Sequence, residues 1–361
     1  MHLINSFEIG GAEKLLVDFA EHFSDDQISL ILVYFKGKGS LLKGTKIEYK
    51  TIDLSNNGKF TFRSIFKLIH IIRKEQVDAI HVHDPQSGLM GRIVAKICQI
   101  KPVIATRHIT KLVGNYPWLY WIENRALKNY SCVIVNSHAV QKYLCDQKFV
   151  SLDHCKIVYN GIDMDIFSSI ERKKNHQNII IGTVARLQHY KGIDILIRAF
   201  ALVQKECTNI ELRIMGDGRE RVNLEKMATD LNITPRVKFI GSVEKSREVV
   251  LFLNEIDIFV LPSRIEGFGI SLVEAMAMAL PVIGSAIDGI KEVINDGVTG
   301  LLFESENIEQ LSEKIIFLIK TNNIRNTIAS MGSIAVHKKF TIESNVKEVC
   351  NIYHKVLRNS V

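Results

Sequence analysis

From its third residue the chain repeats one pattern, a short β-branched run followed by a stretch with apolar residues at helical spacing. The runs at 3–5, 28–33, 47–52, 78–82, 102–106, 132–135 and 156–159 read as strands, with helical segments at 12–23, 62–73, 87–98 and 117–127 between them. A second series has strands at 179–184, 211–215, 237–240, 258–261 and 282–284, again alternating with helices. Strict alternation implies parallel sheets with right-handed crossovers. The expectation is therefore an α/β protein of two doubly wound domains facing each other, and 361 residues suit two such domains. Residues 164–178 are the expected seam, because Ser168 to Asn175 is polar and charged with no periodic apolar face. The expected domains are thus 1–167 and 168–341. A last amphipathic helix, 342–357, carries Val346, Val349, Ile352 and Tyr353 on one face after Thr341 as N-cap.

Composition excludes several classes. The longest apolar run, around Ile31 to Phe35, is far short of the roughly 20 residues of a spanning helix. The first residues lack the basic and apolar regions of a secretory signal. Cys98, Cys132, Cys145, Cys155, Cys207 and Cys350 show no CxxC spacing and read as reduced thiols of a cytoplasmic protein. The formal charge of +7 is mild and gives no nucleic-acid signature, although most of the excess falls before residue 165.

Three segments carry chemistry. Gly10-Gly11-Ala12-Glu13 lies between a strand and a helix, where glycine allows close backbone approach and the helix N-terminus offers N–H groups to an anion. A plain turn explains that segment equally well. It is not GxGxxG, and in Gly216-Asp217-Gly218 the third glycine position holds Arg221, so a nicotinamide dehydrogenase is disfavoured. In the second segment, Arg186 and Lys191 follow the strand ending at Val184 and open the next helix. Two cations there suit a pyrophosphate, Arg as a fork and Lys as a point charge. The third runs from Pro262 to Ala277. A strand stops at proline, Gly267-Phe268-Gly269 forms a loop, and a helix begins near Ile270. That places Glu266 in the loop and Glu274 about one turn into the helix, both able to face one cleft.

The ordered set GGAE, histidine-bearing strand ends, NGID, GxVxRLxxxKG, PSxxEGFGxxxxEAMA and DG…VTGLLF resembles glycosyltransferase family 4, the retaining group 1 glycosyltransferases of two Rossmann-like domains (GT-B). The likeness runs from Glu8 to the terminal helix. It implies a nucleoside diphosphate sugar bound by the second domain, a glycan or polyprenyl-linked acceptor at the first, a final helix crossing back to the first domain, and no metal or other cofactor. By position, Arg186 and Lys191 would hold the diphosphate, and Glu274 would accept from the ribose hydroxyls. Glu266 would hold hydroxyls of the transferred sugar beside the N–H groups of Gly267, Phe268 and Gly269. Gly11 would allow close approach to the phosphates, and His108 would lie near the sugar and acceptor. The resemblance assigns no side-chain base.

His81 and His83 alternate onto one strand face, but as a metal pair they lack an evident third ligand. Asp163-Met164-Asp165 matches a bare DxD, and its place at the seam marks a chance match. Arg63, Lys67, Arg73 and Lys74 accompany an apolar helix face, and Lys111, Trp118, Tyr120, Trp121, Arg125 and Lys128 mix aromatic with basic character. Such faces suit anionic lipid headgroups, a peripheral contact with the inner face of the membrane, or simply a solvated basic edge. Two alternatives stand beside the transferase: a nucleotide-sugar epimerase of the same architecture, and a non-catalytic sugar-nucleotide-binding subunit.

Overall fold

The computed structural model describes residues 1–8, 10–43, 45–47, 49–55, 62–108, 117–168, 178–243 and 246–358. The chain forms two compact units: Met1–Gly161 together with Ile342–Val361, and Ile162–Thr341. Lys111 and most of the expected seam fall outside the described residues.

In the first unit the strands are β1 (His2–Ser6), β2 (Ile31–Lys36), β3 (Lys50–Asp53), β4 (Ile80–Val82), β5 (Val103–Arg107), β6 (Cys132–Val135) and β7 (Cys155–Ile157). They make one sheet in the order β3-β2-β1-β4-β5-β6-β7, every pair parallel. The order reverses between β1 and β4, which opens a crevice at their carboxyl ends. The crossovers are α1 (Gly11–His22), α2 (Phe62–Lys74), α3 (Pro85–Cys98), α4 (Pro117–Ala126) and α5 (His138–Asp146). Asp84 fixes the crevice. Its Oδ1 accepts from the N–H groups of Gln86 and Ser87 at 2.9 Å to cap α3, and its Oδ2 accepts from Asn5 N–H at 2.7 Å at the end of β1.

The second unit repeats the plan. Its strands are β8 (Ile179–Val184), β9 (Ile210–Met215), β10 (Val237–Gly241), β11 (Ile258–Leu261), β12 (Val282–Ser285) and β13 (Leu301–Phe303), in the order β10-β9-β8-β11-β12-β13. Its helices are α6 (Met164–Ser168), α7 (Ile193–Glu206), α8 (Arg221–Asp230), α9 (Ser246–Asn254), α10 (Ile270–Ala277), α11 (Asp288–Lys291), α12 (Ile308–Lys320) and α13 (Asn322–Lys339). All four residues of β11 are buried, as expected of a central parallel strand covered on both faces. The crevice here lies between β8 and β11. β13 went unread in the sequence because three residues at a sheet edge are too few to show a period.

The remaining helix, α14 (Ile342–Arg358), returns to the first unit. Ile342, Val346, Val349, Cys350 and Tyr353 join Phe7, Leu16, Phe19, Leu32 and Ile134 in one core cluster. Cys350 takes the place expected of Ile352, which packs at the margin of that cluster.

One buried ion cluster stiffens the first unit beside β5. Glu123 of α4, with no exposed surface, accepts from Arg92 at 2.5 Å and from the Tyr130 hydroxyl at 3.0 Å, and Arg107 lies at 3.8 Å. Removing one member of such a cluster leaves the others desolvated without compensation. Glu123→Ala is therefore expected to lower the unfolding free energy by about 3–5 kcal/mol, measured by urea denaturation. A loss under about 1 kcal/mol would contradict that account.

Candidate active site

The second unit assembles its site from the loops that leave the carboxyl ends of β8 and β11. After β8 the chain makes a tight turn at residues 189–191 and enters α7 through Gly192, whose φ is +65°. A Cβ at Gly192 would meet the Pro262 carbonyl oxygen at 2.0 Å, so glycine is required for the two loops to touch. Across that contact the N–H groups of Arg264 and Ile265 donate to the Tyr190 carbonyl at 2.9 and 3.2 Å. The consequence is an ion pair: Lys191 Nζ lies 2.6 Å from Glu266 Oε2, with both side chains largely shielded. The Ser263 hydroxyl donates to the same Oε2 at 3.2 Å, and the Ser285 hydroxyl donates to the Ser263 carbonyl at 2.5 Å.

Arg264 locks this arrangement from the other side. Its Nη1 and Nη2 each donate to one oxygen of Asp194 at 2.7 Å, and its Nε donates to Glu306 at 2.5 Å. Burial alone would raise the Asp194 carboxyl, but the Arg264 hydrogen bonds outweigh it and hold it below the ordinary range. Asp194 and Glu306 together raise the guanidinium pKa. Arg264 and Ser263 stand inside the Pro262–Ala277 segment, yet sequence reasoning passed over them. Asp194, which identifies Arg264 as a clamp, lies seventy residues away.

At the end of the loop Gly269, with φ +89°, leads into α10 without any side-chain cap, and its carbonyl accepts from Leu272 N–H at 3.0 Å. Phe268 is 1% exposed and its ring meets Phe340 edge-on at 5.2 Å, so its side chain anchors the loop in the core. Gly267 is buried, and a Cβ at Gly289 would strike its carbonyl oxygen at 2.8 Å. Glu274, one turn into α10, is 4% exposed. Arg186 sits exposed on the first loop, and its side chain makes no ion pair among the described residues. Lys191 and Glu266 are thus in contact, with Gly267 to Gly269 on the same loop. Arg186 takes no part in that ion pair. The chance DxD is accounted for locally, since Asp163 Oδ1 accepts from Asp165 N–H at 2.9 Å at the start of α6.

In the first unit, Gly11 is exposed at the head of α1, with open space where a Cβ would stand. His108 directly follows β5. Both its ring nitrogens are out of solvent and have no partner among the described residues, although the residue as a whole keeps some surface. Burial, with Arg107 alongside, pushes its pKa down to about 4. His108 is therefore neutral at pH 7, with hydrogen-bonding capacity at its ring nitrogens.

Residues 9–166 match the profile of Glycosyltransferase Family 4 and residues 166–333 that of Glycosyl transferases group 1. An uncharacterized glycosyltransferase of Methanocaldococcus jannaschii is 30% identical over 81% of this chain and 79% of its own. The capsular polysaccharide biosynthesis glycosyltransferase CapM of Staphylococcus aureus is 27% identical over 82% of both. Among solved structures, Anabaena HepE in complex with UDP and glucose superposes with a TM-score of 0.84 over 98% of both chains at 22% identity. The chain belongs to the group 1, family 4 glycosyltransferases and has the GT-B fold. It is a transferase by family.

The His108 shift sets a stability dependence. An imidazole held near 4 when folded and near 6.5 when unfolded favours the folded state fully above about pH 6.5. That contribution is lost progressively as pH falls from 6.5 toward 4. The midpoint in urea is expected to drop across that window in the wild type and to drop less in His108→Gln. Equal slopes in both proteins would contradict the assignment.

Proposed function

We propose that this protein is a retaining, metal-independent hexosyltransferase. It would move a sugar from a nucleoside diphosphate to a glycan or lipid-linked acceptor in the synthesis of a cell-surface polysaccharide or glycolipid. The observation that carries this reading is the Lys191–Glu266 pair, held at 2.6 Å beside the uncapped start of α10. Lys191 is positioned to exchange part of its bond with Glu266 for a diphosphate oxygen. Arg186 is free to fold onto the same charge. Both would stabilise the negative charge that grows on the leaving diphosphate as the glycosidic bond breaks, a role in which preorganised cations count most. Glu266, once bridged by Lys191 and Ser263, keeps acceptor capacity for sugar hydroxyls. The buried Glu274 carboxylate suits the paired hydroxyls of ribose. Gly267, Phe268 and Gly269 contribute backbone N–H groups, and Gly11 and His108 serve the first unit's side of the reaction. Attack from the face that the diphosphate leaves would retain configuration, with a donor phosphate oxygen accepting the acceptor proton.

The solved HepE complexes hold UDP, and CapM is named for capsular polysaccharide biosynthesis, so a uridine donor and a surface glycan are the first substrates to try. Lys191→Ala and Glu274→Ala are each expected to lower turnover at least about 100-fold in protein that remains folded by circular dichroism. Full activity in both would refute the proposal. Product anomers read by NMR test retention, and undiminished transfer in chelator tests metal independence. Sugar nucleotide incubated without acceptor should return unchanged, whereas an epimerised sugar would favour the epimerase.

We also propose peripheral contact with an anionic membrane through the first unit. Among the described residues no helix is long and apolar enough to cross a bilayer. On α4, Trp118 (60% exposed), Trp121 (46%) and Ile122 share one face with Arg125, whose guanidinium stacks 4.2 Å over Trp121. On α2, Arg63, Lys67, Arg73 and Lys74 are exposed around Phe66, itself 73% exposed. Basic side chains around apolar rings match anionic headgroups over acyl chains. Co-sedimentation with phosphatidylglycerol vesicles, reduced by Trp118→Ala with Trp121→Ala and absent with phosphatidylcholine alone, is the expected result. No binding to either would remove the membrane from the proposal.

A further inference from the structure

The sheet of the first unit gathers three histidines on one face. His2 of β1 is in register with His81 of β4, and register partners in a parallel ladder point the same way. His83, two residues beyond His81, points that way again. Their rings lie 5.0 Å (His2–His81), 5.1 Å (His2–His83) and 4.3 Å (His81–His83) apart, centre to centre. One nitrogen from each falls within 4.8 Å of the others. A tetrahedral ion bound at about 2.0–2.1 Å would hold its nitrogens about 3.4 Å apart. Small ring rotations therefore close the set.

We infer that His2, His81 and His83 form a binding site for a divalent transition metal ion of the zinc class, with three imidazole ligands and an open fourth position. Sequence reasoning set the His81/His83 pair aside for want of a third ligand; the strand register supplies it as His2. Imidazole nitrogen is the ligand that zinc, cobalt and nickel share. Beside the rings lies a cavity of about 50 Å³, lined also by Thr106, His108 and Tyr353. That volume admits an ion with a bound water, since one water needs roughly 10–15 Å³. His108, whose ring nitrogens have no partner among the described residues, lines the same cavity, where it can meet the fourth position.

The outer contacts are those a metal-binding histidine needs. His2 Nδ1 and His83 Nε2 face each other at 2.9 Å, so an ion between them would replace one hydrogen bond with two ligand bonds. His2 Nε2 then donates to the Tyr353 hydroxyl at 3.1 Å, which fixes the tautomer. His81 has a hydroxyl on either side, Tyr353 at Nδ1 and Thr106 at Nε2, both at 2.6 Å. Whichever nitrogen turns to the ion, the other keeps an orienting partner.

The test uses the full chain without a histidine tag, freed of metal by chelator and titrated with Co²⁺ and then Zn²⁺. The expected result is one equivalent of Co²⁺ giving visible d–d absorption, displaced by Zn²⁺. Affinity should weaken at least about 10-fold in His83→Ala and in Tyr353→Phe, and stay unchanged in His70→Ala on the exposed face of α2. Absence of the d–d band in the wild type would overturn the inference without recourse to any variant. So would thiolate charge-transfer absorption, or undiminished affinity in a folded His83→Ala. The readout is metal binding, so it stands or falls separately from the proposed transfer.

Discussion

A parallel strand cannot reach its neighbour without crossing the whole sheet, and that constraint arranges everything else in this chain. Each crossover returns the chain to the same edge, so every loop leaving a strand's carboxyl end collects there. Where the strand order reverses, between β8 and β11 and between β1 and β4, neighbouring loops diverge to opposite faces and leave a crevice. Residues far apart in sequence then become neighbours of necessity. Lys191 and Glu266 meet because β8 pairs with β11, and His2 meets His81 because β1 pairs with β4.

The two crevices use this placement differently. That of the second unit is charged and clamped, with Arg264 spanning Asp194 and Glu306 so that the loop carrying Glu266 has little freedom. Such rigidity is what electrostatic stabilisation of a leaving group requires, because donors already in place lose little on reorganisation. That of the first unit is ring-lined. His2, Tyr353, His81 and Thr106 pass hydrogen bonds from one to the next beside a core of aliphatic and aromatic side chains. The second crevice is thus lined by ion pairs, and the first by rings and hydroxyls.

Most of the architecture was legible because its signals are periodic. β8 and β11 were read to the residue, since each is an apolar run bounded by turn chemistry. The start of α10 near Ile270 followed from the glycine before it. The candidate site stood out in the sequence where one segment carries its residues together, as with Glu266, the glycines and Glu274. It was illegible where meaning depends on pairing. Arg264 is one more surface cation until Asp194 comes beside it, and His2 is one more early residue until the register sets it against His81. A sequence displays spacing along a strand; it does not display which strand comes next in the sheet.

The return of α14 has a consequence for how the protein is made. The apolar face that β1, β2, α1 and β6 present to Ile342, Val346 and Tyr353 is assembled early in synthesis, but its cover is encoded after the whole of the second unit. Through that interval the nascent first unit holds an open apolar surface while some 180 residues fold separately downstream. Chaperone occupancy during translation should therefore track the position of the ribosome along the second unit rather than the completion of the first sheet.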